Sequence, residues 1–323
     1  MPSSIVVIGS INLDLVCTGK RIPAPGETLK GDRFQTFHGG KGANQAVAVA
    51  RLGYPVNMIG KVGNDDFGDR LRRGLRDAGV GVRGVAEAEG VSSGVALITV
   101  DASGQNSITV IPGANDRLLP CDLEKNLAQI RSAGMILTQL ETPLETVDSL
   151  CATARRLGIP VILDPAPARP LPRKILRNVA YLTPNEAETC ALCGLAPGDL
   201  TPANVASVAE QLLSTGPSNV IVKMGSRGAY IAGADGLRRM VPAFRVKAVD
   251  STAAGDAFNA GLAVGLVRGL SLEEAVRYGA AVGALSATRA GAQASMPSEE
   301  EVTRMLAAGN GKAARTSGSR GRR

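Results

Sequence analysis

Short apolar runs alternate with amphipathic stretches along most of the chain. The apolar runs have the length of buried strands and lie at residues 5–8, 56–60, 134–138, 160–164, 179–182 and 220–223. Stretches of helical length include residues 43–52, 67–78, 144–157, 203–213 and 257–270. Such alternation predicts an α/β fold in three αβα layers, in which helices cover both faces of a central, mostly parallel sheet.

Two segments interrupt this alternation. Residues 13–37 and 92–111 lack a helical pattern, and the second of them contains Asp101-Ala102-Ser103-Gly104, a sequence typical of a β-hairpin turn. We therefore expect β-structure here that is separate from the alternating units. The chain shows no internal repeat.

Residues 250–258 carry the most specific candidate chemistry. Small residues at Ala253, Ala254 and Gly255 precede a long apolar helix, so Gly255 and Asp256 should lie at its N-terminus. Free N–H groups and the helix dipole favour an anion there. The carboxylate of Asp256 could accept a proton from an attacking hydroxyl. The same residues also fit an aspartate that only caps a core helix.

Two further segments favour the catalytic interpretation. Residues 38–45, His-Gly-Gly-Lys-Gly-Ala-Asn-Gln, precede a helix and place Lys41 and Asn44 as donors beside glycines. This segment is not a Walker A loop, because it lacks the Gly-Lys-Ser/Thr ending. Asn12 and Asp14 follow the first strand and lie two residues apart, so they face the same side of an extended segment. An amide and a carboxylate on one face suit a polyol.

Composition indicates a soluble protein with an ample hydrophobic core. The 323 residues could form one large domain or two ordinary ones, and 44% of them are hydrophobic. No apolar run is long enough to span a membrane, and we see no signal peptide, so we expect a cytoplasmic protein. The five cysteines are scattered, which argues against a disulfide framework; Cys190 and Cys193 fall inside a predicted helix, and zinc or redox chemistry is not expected of them.

The net charge of +7 is concentrated at the C-terminus. Residues 309–323 hold five basic side chains and no acidic one, which leaves +2 for residues 1–308. We expect one folded domain over 1–308 and a disordered, solvated basic tail over 309–323, with no specific nucleic acid as partner.

Several motifs together resemble the ribokinases of the PfkB-type family of carbohydrate and nucleoside kinases. Besides residues 39–45 and 250–256, the matching segments are 139–143, 164–169, 183–188, 223–228 and 291–295, in the same order, within a resemblance that runs from about Ile5 to about Met305. The resemblance implies a ribokinase-like fold in which residues 13–37 and 92–111 form a small β-sheet lid. It also implies a homodimer joined through that lid.

The implied reaction is transfer of the ATP γ-phosphoryl group to the 5-hydroxyl of D-ribose. Asp256 is the implied base, and the backbone N–H groups of Ala253, Ala254, Gly255 and Asp256 form the implied anion hole. The implied ribose ligands are Asn12, Leu13, Asp14, Gly40, Lys41, Gly42, Ala43, Asn44, Glu141 and Asp256. A site that pairs every sugar hydroxyl rejects analogues that lack one.

The nucleotide and metal sites are also carried over by position. The implied ATP-binding residues are Asn185, Lys223, Met224, Gly225, Ser226, Arg227, Gly228, Gly255, Asp256 and Ala280. Glu188 is implied to hold Mg²⁺ through water, although Asn185 and Glu188 fit a helix cap equally well. Ala280 departs from the family, which often has Asn or His near the adenine, and Ser251 stands where Thr is usual.

A monovalent cation, usually potassium, binds beside the anion hole in this family. The matching positions are Asp250, Thr252, Ser286, Arg289, Gly291 and Ser295, several of them through backbone carbonyls. Two other interpretations stay open. The acceptor could be another sugar or a nucleoside, or the chain could be a catalytically silent sugar-binding regulator, against which the intact Asp256 and its small-residue turn argue.

Overall fold

The computed structural model describes residues 4–317 and the side chains through residue 308. In chain order its strands are β1 (Ser4–Ile8), β2 (Asn12–Thr18), β3 (Arg33–Gly39), β4 (Val56–Gly63), β5 (Gly81–Ala88), β6 (Gly94–Val100), β7 (Asn106–Ile111), β8 (Ala133–Thr138), β9 (Val161–Leu163), β10 (Tyr181–Leu182), β11 (Asn219–Lys223), β12 (Ala229–Gly233) and β13 (Arg238–Val241). Its helices are α1 (Lys41–Arg51), α2 (Asp66–Asp77), α3 (Pro120–Lys125), α4 (Leu127–Arg131), α5 (Leu144–Leu157), α6 (Arg173–Leu176), α7 (Glu186–Cys193), α8 (Val205–Leu213), α9 (Ala254–Val267), α10 (Leu272–Ser286) and α11 (Glu299–Ser317).

A nine-stranded sheet forms the centre of the molecule. Its order is β13-β12-β11-β10-β9-β8-β1-β4-β5, and every pairing from β11 to β5 is parallel. Only β12 and β13 run antiparallel to their neighbours. All six predicted strands are confirmed, and the predicted mostly parallel sheet is confirmed with them.

Helices cover both faces of this sheet, as β1 illustrates. Ile5 and Val7 belong to a hydrophobic cluster with α1, α9 and α10, whereas Val6 and Ile8 belong to a cluster with α5 and α8. Because successive side chains of a strand point to opposite faces, this division places one helical layer on each side. The three-layer αβα architecture follows.

The two interrupting segments form a second, four-stranded sheet, which we call the lid. Its order is β3-β2-β6-β7, and β6 and β7 form the hairpin expected around Asp101–Gly104. Asn12, at the start of β2, pairs with Gly39 of β3 and Gly94 of β6. The lid therefore begins at the residues that leave the carboxyl end of β1.

Glycines in the segment before α1 are required by close backbone contact. Gly40 has a φ of 86°, and a Cβ there would lie 2.7 Å from the Asn12 nitrogen. A Cβ on Gly42 would lie 2.8 Å from the Ser10 nitrogen. The N-terminus of α1 thus presses against the connection between β1 and β2, which brings two predicted site segments together.

The C-terminal helix α11 crosses the boundary expected at residue 308. Its backbone is helical to Ser317, so residues 309–317 continue a helix, and residues 318–323 lie outside the described residues. A disordered tail stays a prediction. None of the helices between residues 4 and 317 combines the length and apolar character needed to cross a bilayer. All five cysteines are free thiols.

Candidate active site

Asp256 lies in the first turn of α9 with its side chain almost fully buried. Its Oδ2 accepts a hydrogen bond from Asn44 Nδ2 at 3.0 Å, and its Oδ1 accepts one from Gln45 Nε2 at 3.2 Å. Burial raises the pKa of Asp256 to about 6, although Lys41 acts in the opposite direction. A carboxylate with this pKa is ionised at neutral pH and can take up a proton in a reaction.

The turn that leads into α9 presents unused backbone donors. Ala253 has a φ of 59° and is the only non-glycine residue with a positive φ among the described residues. The N–H of Ala254 donates to the Ser251 carbonyl at 3.1 Å, and its contribution to the anion hole stays a prediction. The N–H groups of Gly255 and Asp256 have no acceptor in the part of the chain that the structure describes, as expected for a helix N-terminus.

The sugar-side residues converge from three elements. Asn12 and Asp14 come from β2, Lys41 and Asn44 from α1, and Glu141 from the segment after β8. The Lys41 N–H donates to Glu141 Oε2 at 3.1 Å, which joins two of these segments directly. Burial and the charge of Glu141 raise the pKa of Asp14 to about 6.

Lys41 lies among acidic groups. Burial alone would lower the pKa of its ammonium, but the carboxylates of Asp256, Asp164, Glu141 and Glu188 raise it above its ordinary value. Lys41 therefore stays charged in a largely buried place. Its charge favours anionic and hydroxyl ligands.

Three predicted sugar ligands shape the site through the backbone. Leu13 has a fully buried side chain in the hydrophobic core. The Ala43 N–H donates to the Ser10 carbonyl at 2.9 Å, and the Gly42 N–H to Ser10 Oγ at 3.3 Å. None of these three presents a free polar side chain to a sugar.

The nucleotide-side segments end at the same edge of the sheet. Lys223 closes β11, and its Nζ forms a buried ion pair with Asp164 Oδ1 at 2.9 Å. The Nζ lies 3.5 Å from the position that a Cβ would take on Gly255. The carboxyl ends of parallel strands are where ligands of open α/β sheets bind.

Comparison with known proteins shows which family the chain belongs to. The sequence pattern of the pfkB family carbohydrate kinases matches residues 2–299. The chain belongs to the pfkB carbohydrate kinase family. It is 42% identical to the ribokinase of Schizosaccharomyces pombe over 93% of this chain and 96% of that protein, and 42% identical to that of Bacillus subtilis over 94% and 99%. The structure of Arabidopsis thaliana ribokinase complexed with ribose and ATP has a TM-score of 0.88 at 34% identity, covering 95% of this chain and 99% of that one.

Asn185 and Glu188, which the family resemblance assigns to phosphates and Mg²⁺, form a capping box at the start of α7. Asn185 Oδ1 accepts from the Glu188 N–H at 2.9 Å, and Glu188 Oε2 accepts from the Asn185 N–H at 2.7 Å. Burial raises the pKa of Glu188, while the charge of Lys223 lowers it. The capping interpretation is thus correct as structure, and the carboxylate oxygens keep lone pairs for a hydrated ion.

The remaining predicted nucleotide-binding residues differ in their exposure to solvent. Met224 is buried, whereas Gly225–Arg227 form an exposed turn that ends at Gly228, whose φ is 95°. Arg227 is paired with Glu186. Ala280 lies half-buried in α10.

The family resemblance assigns a monovalent cation to two loops, residues 250–252 and 286–295. Asp250 connects these loops by hydrogen bonds. Its Oδ1 accepts from the Thr252 N–H at 2.8 Å and its Oδ2 from the Gly291 N–H at 2.9 Å. Both carboxylate oxygens are therefore engaged with backbone. Partial burial opposes ionisation, but these hydrogen bonds lower the pKa of Asp250 below its ordinary value.

Ser286 and Ser295 are buried and lie 2.8 Å apart through their hydroxyl oxygens. The guanidinium of Arg289 pairs with Glu301 of α11. Within residues 4–317 no group of three or more His, Cys, Asp or Glu side chains could hold a metal ion. A cation here would rest mainly on carbonyl and hydroxyl oxygens.

Sequence reasoning missed four polar side chains of this site. They are Ser10, Gln45, Asn115 and Asp164, all buried. Ser10 Oγ donates to Glu141 Oε2 at 2.5 Å, and Asn115 Nδ2 donates to Asn12 Oδ1 at 2.7 Å. Asp164 follows β9 directly, so the rule that polar residues after parallel strands meet at one edge would have found it. Asn115 does not follow a strand of the central sheet, so this rule would not have found it.

Proposed function

We propose that this protein is a ribokinase that transfers the γ-phosphoryl group of ATP to the 5-hydroxyl of D-ribose, giving D-ribose 5-phosphate and ADP. The observation that carries the proposal is the 3.0 Å hydrogen bond between Asn44 Nδ2 and Asp256 Oδ2. It joins the sugar-side helix α1 to the carboxylate at the N-terminus of α9, so acceptor, base and anion-binding turn share one place.

Asp256 acts as the general base in this proposal. The proton of the ribose 5-hydroxyl passes to its carboxylate as the oxygen attacks the γ-phosphorus. A bond forms between O5 and phosphorus, the bond from phosphorus to the β,γ-bridging oxygen breaks, and ADP leaves with that electron pair. The N–H groups of Gly255 and Asp256 stabilise the charge on the moving phosphoryl group.

The sugar is held by polar groups that come from separate elements. From β2, the Asp14 carboxylate accepts hydrogen bonds from sugar hydroxyls and the Asn12 amide contributes polar contacts; from α1, the Lys41 ammonium donates and the Asn44 amide contributes as well. Glu141 completes the set from the segment after β8. Donors fixed in this way position the 5-hydroxyl for in-line attack, which is worth more here than covalent assistance.

Two cations would complete the proposed reaction. Glu188, whose carboxylate is buried, would hold Mg²⁺ through water, and the ion would supply neutralisation of phosphate charge. Residues 250–252 and 286–295, which Asp250 connects, would hold potassium mainly through carbonyl and hydroxyl oxygens.

The lid supports a homodimer. By strand register Asp14, Ala96 and Val110 share one face of the lid, and Ile108 lies on that face two residues earlier. Ile108 is 53% and Val110 50% exposed, which leaves apolar surface next to a sugar ligand. A partner lid would bury this surface.

A second acceptor is favoured by one comparison. The deoxyribokinase of Salmonella typhi is 40% identical over 94% of this chain and 98% of that protein. 2-Deoxy-D-ribose is therefore the acceptor to test against D-ribose.

The deciding experiment is a coupled ADP-release assay with D-ribose, 2-deoxy-D-ribose, hexoses and nucleosides as acceptors. We expect kcat/KM to be highest for D-ribose, and phosphorus NMR to show a 5-phosphate product. A higher kcat/KM for 2-deoxy-D-ribose or a nucleoside would replace the proposed acceptor. No acceptor-dependent ADP release would favour the silent regulator.

A further inference from the structure

Gln45 is a fully buried amide that the proposed contacts do not use. Its Nε2 donates to Asp256 Oδ1 at 3.2 Å and to Asp164 Oδ2 at 3.3 Å. Its Oε1 accepts from Gln139 Nε2 at 2.7 Å. One side chain of α1 thus connects α9 with the carboxyl ends of β9 and β8.

The hydrogen-bonded chain continues to the nucleotide side. Asp164 Oδ1 accepts from Lys223 Nζ at 2.9 Å, and that ammonium borders Gly255 in the anion-binding turn. The order Asp256, Gln45, Asp164, Lys223 therefore runs from the base to a buried positive charge beside the phosphoryl site.

A carboxylate held by one hydrogen bond keeps rotational freedom, because its terminal torsion is broad. Asp256 is held on both oxygens, by Asn44 and by Gln45. A carboxylate has about four lone-pair positions, so two remain for the substrate hydroxyl. Gln45 also separates two buried acids, Asp256 and Asp164, by placing a shared donor between them.

We infer that Gln45 is a positioning residue for phosphoryl transfer: it fixes the plane of the Asp256 carboxylate and ties it to the Asp164–Lys223 pair beside the anion-binding turn. The inference rests on the proposed function in that Asp256 is the base. Because a displacement of about 1 Å in a reacting group can cost about 10²-fold in rate, loss of this tie should lower kcat.

The first test is Gln45→Met, which keeps the length and approximate volume and removes the amide. We expect kcat to fall about 10- to 100-fold. The Kd for ribose, measured by calorimetry, and the KM for ATP should stay within about threefold, since Gln45 is not itself one of the proposed ribose or ATP ligands. The matched control is Gln129→Met, a half-buried glutamine in α4 on the other face of the sheet, which should keep the wild-type kcat.

The second test is a double-mutant cycle with Asp256→Asn. If Gln45 acts through Asp256, adding Gln45→Met to Asp256→Asn should lower kcat less than about twofold further. A role in stability alone would lower the melting temperature and leave kcat unchanged. Should Gln45→Met fail to fold, Gln45→Asn replaces it, because the shorter amide keeps polarity and no longer reaches both carboxylates; the same loss of kcat is expected.

Wild-type kcat in the folded Gln45 variant, or a loss that multiplies fully with that of Asp256→Asn, would overturn the inference. Each ratio is taken against the wild-type protein with whichever acceptor that protein phosphorylates fastest. Failure of ribose as acceptor therefore affects the proposed function and leaves the test of Gln45 intact.

Discussion

Asp256 and Asp14 share a raised pKa of about 6, and burial is the chief cause in both. Asp256 must be ionised to accept a proton, and ionised Asp14 is the form that pairs with sugar hydroxyls. We predict that kcat/KM for ribose falls as pH drops below about 6, with a slope steeper than one because two groups protonate. The measurement is kcat/KM between pH 5 and 9. Asp14→Asn should reduce the slope towards one, and a flat profile down to pH 5 would contradict the assignment.

Burial of Asp256 also lowers the stability of the fold. Since its folded-state pKa lies above the ordinary value of 3.8, the native protein binds the proton more tightly than the unfolded chain does. The penalty is absent below pH 3.8 and complete above about pH 6, where a difference of this size corresponds to about 3 kcal/mol.

Asp256→Asn should therefore raise the melting temperature by several degrees at pH 8, and the gain should shrink towards pH 4. Differential scanning calorimetry at both pH values measures it. The control is Asp32→Asn, which removes the same charge from an exposed position in the lid. An equal gain in both variants would attribute the effect to net charge.

At the scale of elements, the structure ties the N-terminus of α9 to the loop after α10. The carboxylate of Asp250 reaches backbone N–H groups of Thr252 and Gly291, and the Asp250 N–H donates to the Ala287 carbonyl at 3.2 Å. An ion between these loops would set the geometry of the turn that binds the phosphoryl group.

We predict that activity rises severalfold when potassium replaces tetramethylammonium at equal ionic strength, which separates site occupancy from screening. Asp250→Ala should weaken this response and leave the Kd for ribose within about threefold. Asp235→Ala, in the turn between β12 and β13, removes a comparable backbone contact far from these loops and serves as control. Equal rates with both cations would contradict the potassium site, and Asp250 would then only connect the two loops through its hydrogen bonds.

Local patterns predicted most of these elements. Strand length and apolar content marked β1, β4 and β8 to β11, and the long apolar run placed Gly255 and Asp256 in the first turn of α9. Those features depend on residues close in sequence. The antiparallel edge strand β13 was missed because its exposed, charged residues give no apolar run. Its neighbour β12 was missed although it is a short, apolar and mostly buried strand.

The contacts that complete the site could not be read in the same way. Gln45 meets Asp164 across 119 positions and Asp256 across 211, and Asn115 reaches Ile11 across 104. Such pairs are set by how helices and strands pack, and a single sequence has no periodicity that reports them. The motifs located the residues, whereas the network among them required the fold.

At the scale of the whole molecule, the lid presents exposed apolar side chains on β7. Ile108 and Val110 are exposed on the lid face that also carries Asp14. We predict that Ile108→Glu shifts the protein from dimer to monomer in light scattering and raises the KM for ribose. Asn106→Glu, which adds the same charge on the same face and strand, should have a smaller effect. A wild-type protein that is monomeric at micromolar concentration would contradict the proposal of a homodimer joined through the lid.

The central claim is that Asp256 activates the ribose 5-hydroxyl, and one measurement tests it most directly. It is ribose-dependent ADP formation by Asp256→Asn under conditions where calorimetry shows ribose bound. The account predicts that kcat falls about 10²- to 10⁴-fold, or roughly 3–5 kcal/mol, with ribose affinity retained, because the amide cannot accept the proton. Wild-type turnover in that variant would contradict it.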